Sequence, residues 1–455
     1  MKKLINALFK IAVPIMIQNA ITNFVALLDN IMIGAVGTNQ MSGVSIVNQL
    51  MFVFYICVFG AISGAGIFGA QFFGQGNHEG VRHSFRFKLV VCAIIASLGI
   101  GVFVLFGEEL AMLYMHQGSD TGSVEETLKY SMQYMHIMLL GLIPFAFEQC
   151  YIGTLRETNE AVLPMKAGII AVVSNTVLNY ILIFGKFGAP ELGVQGAAIA
   201  TVTARVVECL IVVIWTHTHK EKNMFIVGAY RNFSIPGALV KKIIIKGTPL
   251  LFNECLWAAG MAVLTQIYSN RGLAVVAGLS ISSTIANLFN IMFIAVGSAI
   301  AIIVGQYLGA QRFDEAMDSA TKCVWLTFVS NVVIGTILFI VAPLFPDIYN
   351  TTNEVKELAT SFIRITAIAM PIQAVLHATY FIIRSGGKTF ITFLFDSTYV
   401  WVISIPIAFA ITKYTGLFII SIYFIVQMID IIKTVIGLVM LKKGIWLSDI
   451  VTDIE

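Results

Sequence analysis

Six carboxylates stand inside long apolar runs of this 455-residue chain: Asp29, Glu148, Glu208, Glu254, Asp396 and Asp430. A carboxylate at the middle of a bilayer costs about 2.5–3.5 kcal/mol on insertion scales, so each must pair, bind a cation or carry a proton. Asp29 shares its run with Gln18, Asn19, Asn23 and Asn30, and Pro14 lies fifteen residues earlier. Asn175 and Asn179 are four apart and therefore on one helix face, and Thr201 lies in the next apolar run. One Asp, two Asn and a Thr hydroxyl supply the oxygen ligands a bare Na⁺ requires. The same Asp29 can instead carry a proton, and the bland alternative is an interhelical hydrogen-bond cluster that holds a bundle together.

Glu254 follows Pro249 by five residues and precedes Trp257 by three. A carboxylate one turn from an indole suits an organic cation, through charge attraction and a cation–π face; pairing with Lys246 is the alternative. Asp396 is expected either to face an interior or to pair with Arg384. Asp430 with Lys433, and Arg205 with Glu208, are three apart and read as ion pairs along single helices. Glu148, one turn past Pro144, is a candidate for an inner gate. Gln71 and Gln306 each precede a Gly by three residues, where Gly ends a helix and Gln bonds the freed backbone groups. No histidines or cysteines stand at metal-ligand spacing; His217-x-His219 alone is not a metal site, and the six cysteines read as small buried hydrophobes.

The elements that position these residues follow from composition. The chain is 58% hydrophobic and 12% charged, with a mean hydropathy of +0.87, which excludes a soluble globular domain. The net charge of +3 and the lack of basic, aromatic-interleaved clusters set nucleic-acid binding aside. Twelve spans are predicted, near 9–34, 44–74, 88–107, 127–153, 162–185, 193–216, 240–270, 274–308, 321–343, 356–384, 389–411 and 416–440. The apolar run after Met1-Lys2-Lys3 is read as a retained first span, since no small-residue cleavage site follows.

Sliding residues 14–74 forward by 235 positions aligns Pro14 with Pro249, Gly37 with Gly272, Gly43 with Gly278, Gln71 with Gln306 and Gly74 with Gly309. Two homologous halves are the usual build of a transporter. The long polar stretch between spans six and seven divides the chain into an N-terminal six-helix lobe, 1–216, a cytoplasmic linker, 217–238, and a C-terminal six-helix lobe, 239–455. The fold class is therefore an all-α polytopic membrane protein of twelve transmembrane helices in two pseudo-twofold-related lobes. Lys and Arg concentrate in the loops on the N-terminal side, such as Lys2-Lys3, Lys241-Lys242 and Lys442-Lys443, against the scattered Lys129, Lys186, Arg271, Lys356 and Lys413 opposite. That bias puts both termini in the cytoplasm of a cell (inner) membrane protein.

The ordered set of motifs resembles the multidrug and toxic compound extrusion (MATE) family of the MOP flippase superfamily. The motifs are Pro14, Gln18 and Asp29-x-x-x-x-Gly34 in span one, Gly43-x-Ser45, Gly193-Val-Gln-Gly-Ala-Ala-Ile-Ala-Thr201, Pro249-x-x-x-Asn253-Glu254-x-x-Trp257, Gly305-Gln-Tyr-Leu-Gly-Ala310 and Arg384-x-Gly-Gly-x-Thr389. Together they cover residues 10–440. The resemblance implies two six-helix lobes forming a V, and export of organic, often cationic, compounds against inward flow of Na⁺ or H⁺. It points to Asp29, Asn175 and Asn179 as the N-lobe cation site, a Na⁺ site if Na⁺ is the coupling ion, with Thr201 beside them, and to Glu254 as the acidic residue of the C-lobe. Two departures stand out: Asn179 occupies a place where relatives often have Asp, and Gln373 one where a branch has Asp.

The resulting expectation is a cation-coupled antiporter working by alternating access, not an enzyme, with no cofactor beyond the coupling ion. Its partners are a small organic, cationic substrate and the lipid bilayer, and a monomer is expected. The candidate substrate contacts are Gln18, Asn19, Asn23, Glu254, Trp257, Gln373 and Asp396. The rival is a flippase for a lipid-linked saccharide or other lipid, which would want several unpaired Arg or Lys inside its cavity.

Overall fold

The computed structural model describes residues 2–115, 123–349 and 351–452. Among the described residues, twelve helices are long and apolar enough to cross a membrane: α1 (Lys2–Gly34), α2 (Thr38–Gln75), α3 (His78–Met112), α4 (Val124–Glu157), α5 (Val162–Phe184), α6 (Val194–Thr218), α7 (Gly237–Ser269), α8 (Leu273–Gly309), α9 (Phe313–Val341), α10 (Asn353–Ser385), α11 (Thr389–Tyr414) and α12 (Ile419–Lys442). Helix is imposed by the solvent: hydrocarbon offers no partner for a backbone N–H or C=O, so each segment bonds to itself. Apolar side chains on both faces complete the match to lipid, and Leu98, Leu105, Leu140 and Ile340 are each at least 65% exposed in the isolated chain.

Several helices outrun the predicted spans. α1 begins at Lys2 rather than near 9, and α3 at His78 rather than near 88. Polar residues continue a helix past the apolar run once its end is capped, as Asn77 does for α3 by accepting from the Gly80 N–H at 2.8 Å. α11 departs from α-helical geometry in two π-helical segments, Leu394–Thr398 and Val400–Ser404. In the first, the Ser397 N–H donates to Asn253 Oδ1 of α7 at 3.3 Å.

The chain forms two compact units. The N-terminal unit comprises Val13–Gly69 and Asn77–Ile243, and the C-terminal unit comprises Met1–Ala12, Ala70–Gly76 and Ile244–Glu455. In the N-terminal unit α6 packs on α4 and α5, and α4 on α3. The segment between α6 and α7 is seated on this unit. Phe225, Ile226 and Ala229 are buried, and Arg86 donates to the carbonyls of Gly228, Ala229 and Ser234 at 2.8–3.1 Å. Its polar composition hid three apolar residues spaced to dock on α3.

In the C-terminal unit α10 packs against α8, α9 and α12. The two Gln-x-x-Gly motifs meet here. A Cβ on Gly74 would strike the Gln306 carbonyl and one on Gly309 the Gln71 carbonyl, so the backbones touch and only Gly fits. Gln71 Nε2 donates to Ser385 O at 2.9 Å and Ser448 O at 3.3 Å, and its Oε1 accepts from the Ile450 N–H at 2.9 Å. Gln71 thus satisfies freed backbone groups, and those groups belong to the end of α10 and the C-terminal tail. Within that tail Asp449 accepts from the N–H groups of Val451 and Thr452. Burial alone would raise the Asp449 carboxyl; hydrogen bonds from Thr452, Val451 and Gln311 outweigh it and hold the group below its usual range.

Candidate functional site

Two polar clusters occupy the interior of the two units. In the N-terminal unit, Asn175 and Asn179 project from one face of α5, four residues apart. Asn179 Nδ2 donates to Asp29 Oδ1 of α1 at 2.5 Å and to Asn175 Oδ1 at 3.2 Å, and Asn175 Nδ2 donates to Thr201 Oγ1 of α6 at 3.2 Å. The four predicted cation-coupling residues of this half therefore form one chain of contacts. Asn175 is 3% exposed and Asn179 fully buried. With both amide nitrogens committed, the oxygens remain, and Asn179 Oδ1 is buried without a hydrogen-bond partner among the described residues. A buried orphan acceptor beside a carboxylate is what a cation would satisfy. Tyr134 of α4 lies beside Thr201 and Asp29 and donates to Asn48 Oδ1 of α2 at 3.4 Å. Neither residue stands out in the sequence, since a Tyr and an Asn are ordinary in long spans.

Toward the other end of the same helices lies a second layer. Gln18 Nε2 donates to Glu208 Oε1 at 3.4 Å, and Gln18 Oε1 accepts from Arg156 Nη2 at 2.6 Å. Arg205 Nη1 reaches Glu208 Oε2 at 3.4 Å, the ion pair its spacing predicts, and stacks over Phe145 with 5.2 Å from Cζ to the ring centre. Gln18 is thus a bridge inside the unit, between α1, α4 and α6. Asn19 is half-buried, and the exposed Asn23 donates to the Asn19 carbonyl at 2.8 Å, a contact within α1. Arg156 reaches Gln18 from the last turn of α4.

In the C-terminal unit the predicted pairing along α12 is not formed. Lys433 Nζ lies 3.1 Å from Asp396 Oδ1 of α11, while Asp430 Oδ2 accepts from Gln373 Nε2 of α10 at 2.6 Å. Same-helix spacing permitted Asp430–Lys433, but the interhelical partners close better geometry, and Tyr399 and Phe395 present ring faces to the ammonium at 5.4 and 5.9 Å. Nor does Asp396 bond Arg384: its second oxygen accepts from Asn253 Nδ2 at 3.0 Å. Asn253 also donates to Tyr380 Oη at 3.3 Å and accepts from Ser397 Oγ at 2.7 Å. The π-helical segment of α11 therefore aims Asp396 at α7 and α12. Glu254, the next residue, is half-buried with Arg384 and Asp396 as its charged neighbours. Trp257 leaves 36% of its surface exposed, and Trp401 donates its indole N–H to Leu256 O at 2.9 Å.

Comparison with known proteins agrees with this architecture. The MatE family model matches residues 14–181 and 249–412, one match in each half of the repeat. The probable multidrug resistance protein NorM of Thermotoga maritima is 24% identical over 451 residues, covering 96% of this chain and 92% of its own. The probable multidrug resistance protein YoeA of Bacillus subtilis is 23% identical, covering 90% and 88%. Among solved structures, a variant of the Vibrio cholerae MATE transporter VcmN superposes with a TM-score of 0.85 at 17% identity, over 97% of both chains. A MOP superfamily transporter from Pyrococcus furiosus, whose binding pocket is described as reversed in polarity, gives 0.83 at 18% identity over 96% and 95%. Because the family model matches well over half of the chain, in both repeats, this twelve-helix protein belongs to the MatE family and is a membrane transporter, not an enzyme.

Proposed function

We propose that the chain exports small organic, cationic compounds in exchange for an inward-moving monovalent cation bound at Asp29. The carrying observation is the Asp29–Asn179–Asn175–Thr201 chain with its orphaned Asn179 oxygen. Asp29, Asn175, Asn179 and Thr201 offer only oxygens to an incoming ion. That set accepts Na⁺, and the carboxylate accepts H⁺. The relatives named as multidrug resistance proteins support the export of drugs. Both termini are assigned to the cytoplasm of the cell membrane on the loop-charge bias, and the protein is taken to act as a monomer. In the C-terminal unit Glu254, with Trp257 one turn away, is the group left for a cationic substrate, since Asp396 is occupied by Lys433 and Asn253.

Exchange requires that the ion favour one conformation over the other, because equal affinity for both shifts nothing. The lipid-flippase alternative finds less support. Arg205 and Lys433 are paired with Glu208 and Asp396, so these guanidinium and ammonium groups are not free to hold a phosphate. The test uses purified protein in liposomes loaded with ethidium, with Na⁺ and proton gradients imposed separately. Gradient-driven dye movement in wild type that is lost in Asp29→Asn supports the reading and names the ion. Movement that persists undiminished in Asp29→Asn overturns it.

A further inference from the structure

The inner layer of the N-terminal unit contains a group that the Asp29 cluster does not use. Glu148 of α4 is fully buried, and neither of its carboxylate oxygens accepts a hydrogen bond from a described residue. Its neighbour is Glu208 of α6, itself only 5% exposed. Both guanidiniums within range are turned elsewhere: Arg205 to Glu208 Oε2, and Arg156 to Gln18 Oε1 with its own Nε unpartnered and buried. The remaining neighbours are Cys209 on α6, beside Glu148, and Tyr55 on α2, beside Arg205. A bare carboxylate in such a place would lose its hydration with no donor to replace it. A proton between two carboxyl groups removes that conflict through a short O–H···O⁻ bond.

We propose that Glu148 and Glu208 form a second cation site of the N-terminal unit, one that binds a single shared proton. The site lies seven residues along α6 from Thr201, or about 10 Å at 1.5 Å per residue. On α5 it is marked by Gly168, seven residues before Asn175, whose missing Cβ leaves room for Gln18 and Glu208 Oε1. The step is simple: an O–H bond forms on Glu148 as a hydronium ion gives up a proton and becomes water, and the same bond breaks when the proton returns to water. Loss of the proton makes Glu148 an acceptor for Arg156, whose unpartnered Nε lies on the same helix. Arg156 Nη2 already holds Gln18 Oε1, so the same guanidinium would then link Glu148 to the contact between α4 and α1. Its part in transport rests on the exchange reading above, but the site itself does not.

The test is infrared difference spectroscopy of the purified protein during a pH titration, which reads the C=O stretch of a protonated carboxyl directly. A band that disappears on alkaline titration is expected in wild type, persists in Asp29→Asn, and is lost in both Glu148→Gln and Glu208→Gln. Gln mimics the protonated side chain in shape, and thermal unfolding checks that each variant is folded. An unchanged titrating band in folded Glu148→Gln overturns the proposal. Ethidium transport in the same variants separates the two readings: if Asp29→Asn transports normally while the Glu148-dependent band is present, the exchange reading fails and this site stands.

Discussion

Replacing Lys433 with Met tests whether the Asp396 pair is a designed part of the C-terminal unit. The charges are 3.1 Å apart, with the Lys side chain 4% and the Asp side chain 22% exposed. Breaking a fully buried pair by removing one partner costs about 3–5 kcal/mol, because the other charge is stranded. Asp396 keeps the Asn253 donor at 3.0 Å and some access to water, so a loss of about 2–3 kcal/mol is expected. Asp396→Asn should cost more, since it strands the more deeply buried ammonium. The double variant should recover about 1–2 kcal/mol relative to the sum of the singles. What it does not recover includes the contacts of the ammonium with Tyr399 and Phe395, worth about 0.5–1 kcal/mol. The assay is unfolding free energy by detergent titration for the four proteins of the cycle. Additive singles, or a neutral Asp396→Asn, would refute the pairing argument.

The Gly74–Gln306 and Gly309–Gln71 backbone contacts leave no room for a methyl group; Gly309→Ala should destabilise by about 1–3 kcal/mol in the same titration, whereas Gly237→Ala, with nothing near its Cβ, should be close to neutral. Gln71→Ala removes three hydrogen bonds to the end of α10 and the tail, and limited proteolysis should then cut within 444–452 at least tenfold faster. Protection of that tail in wild type should hold across neutral pH. The lowered Asp449 carboxyl stabilises the folded tail above its unfolded value of about 3.9 and loses that contribution as the pH falls through the lower folded one. Asn179→Asp places a second carboxylate against Asp29 and should lower the cation concentration for half-maximal dye export about tenfold, read in liposomes at fixed voltage.

Sequence reading recovered what the membrane dictates and lost what side chains choose among near-equal partners. The twelve helices follow from apolar length, and the Asp29, Asn175, Asn179 and Thr201 cluster from the cost of burying polar groups. Both arguments depend on the solvent rather than on tertiary detail. Lys433 was misassigned because spacing of three along a helix says only that two groups can meet, and a partner 37 residues away is invisible to it. Arg156 shows a related limit of reading position along the chain. It sits in the last turn of α4, where a charge normally faces water, yet its long stem reaches Gln18. The π-helical turn of α11 had no local signal, and its Ser397 contacts Asn253 on another helix.

The number of ions bound in the N-terminal unit decides how far export can go. One monovalent cation crossing about 100 mV yields about 2.3 kcal/mol, and a tenfold gradient adds about 1.4 kcal/mol. A neutral substrate exchanged one for one can then be concentrated about 500-fold, and a monocation only about tenfold, because the voltage does no work on a neutral exchange. If the Glu148–Glu208 proton moves in the same cycle as the ion at Asp29, and both gradients are of that size, two charges enter for each substrate. The limit rises to about 10⁵-fold for a neutral compound and about 10³–10⁴-fold for a monocation. For a monocationic dye such as ethidium, two entering charges leave one net charge per cycle and a flux that voltage can reverse, whereas one entering charge leaves none. Loss of that voltage dependence in Glu148→Gln, with transport otherwise intact, would tie the inner layer to coupling, whereas an unchanged voltage dependence would confine it to structure.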